Sequence, residues 1–530
     1  MFNTLDLFAG AGGLSLGFVK TGKFKIVAAV ENNQYAQRTY LRNHGNIRMI
    51  SDVVGCNFAE LSAELGGIDI VIGGPPCQGF SNANRQKSSI ISNNNSLVKE
   101  FFRAVTEIRP LAFVMENVSM LQSDVHRFYE TINDHEEVQR LGLQLRDDTI
   151  FLSKHELQGI DILPLVQNRL QLNSIILPKK LYTSLYVLYK HRGTKKRLEK
   201  YIAKNDVSII NQIEEYLASI PEDEYTQYNA ERLRVIQDGL SRSQHISVYS
   251  TQLTELIEYQ KSLLTAQEIY DNGILCSFEH RANTKHTIAR SRSYSVIDYI
   301  NAILGDDYKH IGSVINARWF GVPQERLRYI IMGIRSDISN SQDISLPKEP
   351  DIIPLITVGD AILDLQNCEV SYSKDEQGVV IPESDYPISE YAQSLRYDGL
   401  LFNHMATETT PEVLERFKAL KEGENFHKLP RQLVESYEKP ERTQNTIYLR
   451  LDSKKYSGTV VNVRKSMWIH PKLDRAITVR EAARLQSFPD NFIFEGTKDS
   501  QYQQVGNAVP PLMAKAIAEN LLRYLPHNER

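Results

Sequence analysis

Short apolar segments alternate with helical segments in the first third of the chain, and this alternation limits the folds open to it. The apolar segments end in Gly, Pro, Asn or an acid and are Thr4–Phe8, Phe24–Val30, Ile68–Ile72 and Leu111–Met115. Continuous apolar strands separated by helices are typical of a parallel sheet that helices cover on both faces. The pattern therefore predicts an α/β, Rossmann-like sheet, to which Tyr329–Ile334 adds a later strand.

The rest of the chain predicts two further parts. Residues 122–293 are rich in Leu, Ile, Lys, Glu, Gln and Tyr, with apolar residues at helical spacing, and predict a mostly helical insertion of unknown role. Residues 339–499 mix short strands, prolines and polar loops and predict a smaller mixed domain with a hinge. We therefore assign residues 1–121, 294–338 and 500–530 to the domain that carries the sheet.

Composition narrows the classes of function. The longest apolar runs fall short of the ~20 residues that cross a bilayer, and the N-terminus lacks the basic start of a signal peptide. We therefore expect a cytoplasmic protein with no membrane contact. The four cysteines are far apart and form no CxxC pair, so we expect no metal site. A net charge of −4 weighs mildly against a nucleic-acid partner, but contact with phosphates needs only a local basic surface.

Polar or glycine-rich residues follow the first three predicted strands. Ligands of open parallel sheets bind beyond the carboxyl ends of the strands, so these positions are the candidate site. Phe8–Gly13 is a glycine-rich turn that suits close approach of a ligand, although a plain strand-to-helix turn would look the same. Glu31 follows the second strand and suits the hydroxyls of a ribose. A third strand, in addition to the four apolar segments, is predicted directly before Asp52, and Asp52 at its end suits an adenine amino group.

The fourth and fifth strands end in residues that can perform chemistry. Gly73–Ser81 contains two glycines, two prolines and Cys77. Cysteine is usually a small buried hydrophobe, but this rigid turn places Cys77 on the ligand side of the sheet. A thiol becomes a strong nucleophile once its pKa falls. Glu116 ends the fifth strand and would face the same crevice.

Six segments in this order resemble the cytosine-C5 DNA methyltransferases, in particular the modification enzymes of bacteria and phages. They are Asp6–Phe18 (DLFAGAGGLSLGF), Gly73–Ser81 (GGPPCQGFS), Glu116–Val118 (ENV), Asn316–Arg328 (NARWFGVPQERLR), Thr478–Pro489 (TVREAARLQSFP) and Gln504–Pro511 (QVGNAVPP). Only the insertion and the variable part of the third region lack such a match. The resemblance gives residues 339–499 the role of a target-recognition domain, with Arg464, Lys465 and Trp468 as candidate DNA contacts and Trp468 equally a core residue.

The resemblance also implies a cofactor site. S-adenosylmethionine would bind there and leave as S-adenosylhomocysteine, with no metal. Phe8, Gly10 and Gly12 would cradle its methionine part, Glu31 its ribose and Asp52 its adenine. The further residues that would line this pocket are Pro75, Asn507 and Val509.

For catalysis, the resemblance implies that Cys77 adds to C6 of cytosine, so that C5 can attack the donor methyl. Glu116 would hold the N3 side of the base. Arg326 and Arg328 would line the pocket, with Arg328 near O2. These atoms are inaccessible in stacked DNA, so the cytosine must be flipped out of the duplex. We expect a monomer that modifies double-stranded DNA, with a companion restriction endonuclease compatible with this role.

Three alternatives and two departures from the family pattern stay open. A cytosine-C5 methyltransferase acting on transfer RNA would share these segments, an NAD-dependent oxidoreductase would share only the glycine turn and Glu31, and an inactive binding module would not need Cys77. Ser92–Ser96 replaces the Asp and Arg that often follow the loop after the cysteine, a loop here expected to close over the base. The insertion resembles nothing we can name, and its basic stretch Lys190–Lys204 suits DNA, solvent or a protein partner.

Overall fold

The computed structural model describes residues 1–76, 96–123, 127–153, 155–220, 223–338, 343–373, 378–383, 386–435, 437 and 440–526. The strands within them are β1 Phe2–Leu7, β2 Phe24–Val30, β3 Arg48–Ile50, β4 Ile70–Gly73, β5 Ala112–Val118, β6 Arg127–Tyr129, β7 Arg146–Phe151, β8 Cys276–His280, β9 Thr287–Ser295, β10 Tyr308–Asn316, β11 Leu327–Arg335, β12 Val379–Val380 and β13 Leu400–Leu401. The helices are α1 Gly13–Val19, α2 Gln34–His44, α3 Phe58–Glu64, α4 Ser96–Ile108, α5 His135–Arg140, α6 Leu163–Val166, α7 Arg169–Ile175, α8 Lys179–His191, α9 Lys195–Leu217, α10 Glu224–Ser241, α11 Ser250–Asp271, α12 Val296–Leu304, α13 Val358–Ile362, α14 Glu390–Leu395, α15 Pro411–Lys418, α16 Arg431–Val434, α17 Val463–Ser466, α18 Val479–Leu485, α19 Lys498–Asn507 and α20 Pro511–Leu522. Within these residues, each helix is too short or too polar to cross a membrane.

A seven-stranded sheet in the order β10-β11-β5-β4-β1-β2-β3 organises the first of two compact units. This unit contains the described residues of 1–76, 96–123 and 303–526. The five strands from β5 to β3 are parallel, as predicted. β11 runs antiparallel to β5, and β10 antiparallel to β11. The ten residues between β10 and β11 explain this difference from the predicted parallel sheet, because a parallel crossover needs a dozen or more.

Alternating residues of the sheet point to its two faces, and helices pack on each face. Val114 of β5 packs in one buried cluster with Phe18 of α1 and Ile517 of α20. The preceding residue, Phe113, points to the opposite face and meets Phe101 and Phe102 of α4 edge to face. The predicted sheet with helices on both sides is confirmed.

The second unit contains the described residues of 124–302. Its helices α7 to α11 enclose two apolar clusters, which fits the predicted helical character. It also contains an antiparallel sheet in the order β6-β9-β7, with β8 paired to β9, that the sequence did not indicate. The longest strand of this sheet, Thr287–Ser295, has the sequence TIARSRSYS. Its polar residues interrupt the apolar run by which a buried strand is recognised in a sequence.

Residues 343–526 belong to the same compact unit as the seven-stranded sheet. Helices α13, α14, α17, α18 and α19 contribute residues to a second apolar cluster, which includes Trp468, Phe488 and Tyr502. Trp468 is 1% exposed, so the core reading of this residue is the correct one, and it is not a surface DNA contact. Arg464 pairs with Asp499 at the surface.

Candidate active site at the carboxyl edge of the sheet

The ends of the five parallel strands lie in line. Leu7 of β1 is in register with Val30 of β2 and with Gly73 of β4. Val30 pairs in turn with Ile50 of β3, and Gly73 with Met115 of β5. The residues that follow these ends therefore share one edge, and they include Phe8–Gly12, Glu31, Asp52, Gly74–Pro76 and Glu116.

Every second residue from Phe8 to Gly12 in the glycine-rich turn has a left-handed backbone conformation. Phe8 has φ 56°, Gly10 φ 55° and Gly12 φ 89°. A non-glycine residue in this region is strained by ~1–3 kcal/mol and persists only where its surroundings fix it. Here the next amide, that of Ala9, donates to the carbonyl of Val30 at 3.0 Å. A Cβ added at Gly10 would meet no atom within 4 Å, so the turn leaves open space beside its backbone.

Glu31 joins the turn to the end of β2. Its Oε2 accepts a hydrogen bond from the Gly10 amide at 2.8 Å, and its Oε1 accepts one from the Asn33 amide at 2.8 Å. Asp52 is exposed, and its Oδ1 accepts from the Val54 amide at 2.9 Å. The two carboxylates are thus fixed by backbone amides, each with lone pairs left for a ligand.

A buried polar group beneath the turn was not identified from the sequence. The Ser15 hydroxyl donates to Oδ2 of Asp6 at 2.6 Å, and the Tyr40 hydroxyl lies 3.3 Å from the same oxygen. Burial raises the pKa of Asp6 to about 7. The only sequence signal was an acid inside an apolar strand, because its partners lie on two different helices.

His44 holds the end of the turn. Its Nε2 lies 3.1 Å from the Gly12 carbonyl, which can only accept, so Nε2 carries the hydrogen. Burial lowers the pKa of His44 to about 4, which keeps the ring neutral near pH 7. A Cβ added at Gly12 would overlap the rings of His44 and Tyr40, so this position requires glycine.

The other half of the edge contains an ion pair. Nε of Arg328 lies 2.6 Å from Oε1 of Glu116, and both side chains are at most 15% exposed. The second carboxylate oxygen, Oε2, faces Gly74, where a Cβ would come within 3.0 Å of it. The adjacent Asn117 donates from Nδ2 to the carbonyl of the buried Pro75 at 3.2 Å and so ties the turn after β4 to β5.

Arg326 is placed differently from Arg328, although only one residue separates them. It is 1% exposed and donates to the carbonyls of Val460 at 2.9 Å and Gly506 at 3.0 Å. Burial lowers its pKa well below the usual value, and the charge of Arg328 lowers it further. Its guanidinium therefore binds backbone of two distant segments.

The C-terminal segment packs on the start of α1. A Cβ added at Gly13 would overlap the carbonyl of Val509, so Gly13 permits this close approach. Asn507 is exposed, and its Oδ1 accepts from Nε2 of Gln503 at 2.7 Å. The two residues predicted to close the cofactor pocket thus lie at or just before a segment that touches the glycine-rich turn.

Cys77 and the segment expected to close over the base lie outside the described residues. The other three cysteines are free thiols. Burial raises the pKa of Cys56, and it raises the pKa of Cys276 and of Cys368 to about 11. None of these three is an activated thiol.

Comparison with known proteins identifies the relatives of the chain. Residues 2–142 and 283–523 match the family model of C-5 cytosine-specific DNA methylases. The type II methyltransferase M.DdeI of Desulfomicrobium norvegicum is 26% identical over 98% of this chain and 89% of its own length. The DNA (cytosine-5-)-methyltransferase M.ApeKI of Aeropyrum pernix is 26% identical over 99% of each chain. A crystal structure described as a prophage-encoded DNA modification methyltransferase (E. coli) shares the fold, with a TM-score of 0.52 at 20% identity over 99% of each chain.

Proposed function

Because the chain belongs to the C-5 cytosine-specific DNA methylase family and is a DNA (cytosine-5-)-methyltransferase, we propose how its residues divide the reaction. The sheet edge would bind S-adenosylmethionine at the ends of β1 to β3 and an extruded cytosine at the ends of β4 and β5. The register of Leu7 with both Val30 and Gly73 carries this proposal, because it sets the two halves side by side.

The residues of the cofactor half fit S-adenosylmethionine. A ligand can lie against the backbone in the open space at Gly10. The Gly10 amide is held in place by its hydrogen bond to Glu31. A carboxylate that has lone pairs to spare can accept both hydroxyls of a ribose, as proposed for Glu31. The exposed Asp52 would accept from the adenine amino group, and Phe8, Gly12, Pro75, Asn507 and Val509 would complete the pocket. When bound, this group supplies an electrophilic methyl on a sulfonium.

Cys77 would act as the nucleophile. Its thiolate would form a bond to C6 of the cytosine, and the electron pair of the C5–C6 double bond would move so that C5 can attack the methyl group. The methyl–sulfur bond would break as the new bond forms, and transfer of the C5 proton to water would then restore the double bond and expel the thiolate. The raised pKa values of Cys56, Cys276 and Cys368 leave Cys77 as the cysteine suited to this role.

Glu116 and Arg328 would stabilise the base as charge develops on the ring. With Oε1 held by Arg328, Oε2 of Glu116 remains toward Gly74, where it would accept from the amino group of cytosine and share a proton with N3. The guanidinium of Arg328 has further N–H donors for O2. Donors and acceptors that are fixed before the reaction lower its barrier because they need not reorganise.

Arg326 would act as a positioning residue. Its two carbonyl contacts tie the β10–β11 loop to the segments at Val460 and Gly506, and the second of these directly precedes Asn507. Without the guanidinium, two buried carbonyls would lose their partners, at a cost of ~1–3 kcal/mol for each group. A substitution here should therefore impair both halves of the site.

The cellular role would be modification of a specific DNA sequence beside a companion restriction endonuclease. The test is methyl transfer from labelled S-adenosylmethionine to duplex DNA and to transfer RNA, followed by bisulfite sequencing of DNA from cells that express the protein. We expect labelled DNA and one methylated sequence context. Labelled transfer RNA with unlabelled DNA would overturn the proposal in favour of an RNA enzyme.

A further inference from the structure

A dense cluster of positive charge lies in the sequence of a helical hairpin of the second unit. We define the basic hairpin as residues 179–204, which comprise α8, the turn after it and the first half of α9. Nine Lys or Arg and one Glu give it a formal charge of +8, in a chain whose net charge is −4. The like charges of this hairpin repel one another unless a molecule of opposite charge binds there.

The fold directs these cations to solvent. Leu181, Leu185 and Leu188 of α8 are at most 1% exposed and pack in the apolar cluster of α8 to α11. The opposite surface exposes seven cations, which are Lys179, Lys180, Lys190, Arg192, Arg197, Lys200 and Lys204. Arg197, Lys200 and Lys204 recur at spacings of three and four residues and so form one stripe about 10 Å long on α9.

Two of the cations are held in place by tyrosines. Nζ of Lys190 lies 4.8 Å from the centre of the Tyr186 ring, and Cζ of Arg192 lies 3.7 Å from the centre of the Tyr189 ring. The two rings are near parallel, with centres 6.2 Å apart. Contact with a ring face restrains a cation without neutralising it.

The basic hairpin differs in ion pairing from much of its unit. Many cations elsewhere in the unit pair with carboxylates, as in Arg169–Asp271, Arg232–Glu255, Arg242–Asp238, Lys261–Glu258, Arg290–Glu279 and Arg292–Glu130. Arg146, Arg281 and Lys285 are scattered exposed cations that form no ion pair with a described residue. By contrast, the seven exposed cations of the hairpin form no ion pair with a described carboxylate. Their charge is available to a partner.

We propose that the basic hairpin binds the phosphate backbone of duplex DNA, as a second contact outside the target-recognition region. This inference rests on the proposed function, since a DNA-modifying enzyme has that polyanion as its substrate. Duplex DNA carries one negative charge per ~1.7 Å of its axis, and a row of evenly spaced cations without an apolar centre fits it. An interface with an acidic protein would also need apolar side chains at its centre. The hairpin buries its leucines in the core of its own unit.

The test replaces the α9 stripe by Arg197→Gln, Lys200→Gln and Lys204→Gln in the full chain. Glutamine keeps the helix propensity and removes three charges. The matched control, Arg146→Gln, Arg281→Gln and Lys285→Gln, removes three exposed cations of the same unit outside the hairpin. The readout is the affinity for a duplex several helical turns long as a function of salt concentration.

We expect the stripe variant to lose about tenfold or more in affinity at moderate salt, and the slope of log K against log salt to fall by about 2–3, close to 0.9 for each phosphate contact. The control should shift both by far less. Methyl transfer at saturating DNA should persist in the stripe variant, which separates this inference from the proposed catalytic roles. Equal slopes in the parent and the stripe variant would overturn it and leave the patch to another partner.

Discussion

At the carboxyl edge of the sheet, Asp52 is exposed and Glu31 is partly so, whereas around helix α18 the side chains of Glu481, Arg484 and Asp490 are 0% exposed. Glu31 and Asp52 accept hydrogen bonds from backbone amides and have further lone pairs for a ligand. Those around α18 bind each other. Accessible, incompletely paired groups suit a ligand, and buried, fully paired groups suit a fixed framework.

The segments that resemble the methyltransferase family are of two kinds, one accessible and one buried. Thr478–Pro489 resembles the family, as the glycine-rich turn does, yet it forms a buried network. Arg484 lies 2.6 Å from Asp364 and 2.6 Å from Asp490. Arg475 pairs with Glu481 at 2.6 Å, and Thr478 caps the helix through the Glu481 amide. A segment shared by a family thus marks a structural framework here, not contact with a substrate.

Breaking the buried network should have the largest effect. Arg484→Met would leave the buried Asp490 without its ion-pair partner and Asp364 with Arg396 alone, which costs about 3–5 kcal/mol of unfolding free energy. Urea denaturation measures this loss. The control is Lys418→Met, which breaks the exposed pair with Glu415 and should cost less than ~1 kcal/mol. Equal losses in the two variants would refute the contrast.

At the sheet edge, a substitution should impair binding more than folding. Glu31→Gln removes the negative charge and one of the two acceptors that hold the Gly10 and Asn33 amides. Hydrogen bonds to a charged group are worth ~1.5–3 kcal/mol, so the Kd for S-adenosylmethionine should rise about 10–100-fold. Calorimetric titration measures it, with Lys23→Gln as a surface control. An unchanged Kd would remove Glu31 from the site.

The pH dependence of stability should sharpen the comparison. Burial lowers the pKa values of His404 and His470, near Glu481, to about 4. Between pH 6.5 and 4 the unfolded chain therefore binds more protons than the folded one, and stability falls as the pH falls. From pH 6.5 to 5.5 this amounts to about 1 kcal/mol for each histidine.

Asp6 beneath the edge should act in the opposite direction. Because its pKa is raised to about 7, the folded chain holds its proton up to that pH, and stability falls as the pH rises toward 7. Urea unfolding at pH 5.5 and 6.5 tests both signs. The double variant His404→Gln, His470→Gln should show a smaller rise in stability with pH than the parent, and Asp6→Asn a larger one. Unchanged differences would contradict the assigned protonation states.

The sequence predicted those features that depend on local pattern. β2 has the predicted bounds, and β1, β4, β5 and β11 lie within three residues of theirs, because apolar runs bounded by turn residues are local signals. The location of the residues after each strand could be predicted as well, because a parallel sheet places the carboxyl ends of all its strands at one edge. Glu31, Asp52 and Glu116 could therefore be assigned to that edge before the fold was known.

Features that depend on distant pairing could not be predicted. Arg484 meets Asp364 across 120 positions, and Arg326 meets Gly506 across 180. No periodicity distinguishes an arginine that binds buried carbonyls from Arg328, which pairs with a carboxylate of the site. β7 pairs with β9 across the helices of the second unit, and the polar sequence of β9 also obscures its pairing with the neighbouring β8.

Covalent trapping tests most directly the proposal that Cys77 attacks C6 of a cytosine bound at this edge. Duplex DNA in which the target cytosine carries fluorine at C5 has no C5 proton to lose, so the adduct cannot expel the thiolate. With S-adenosylmethionine present, we predict a protein–DNA complex that survives denaturation, with the DNA attached to the peptide containing Cys77, and no complex with Cys77→Ala. A trapped complex through another residue, or turnover by Cys77→Ala equal to that of the parent, would contradict the account.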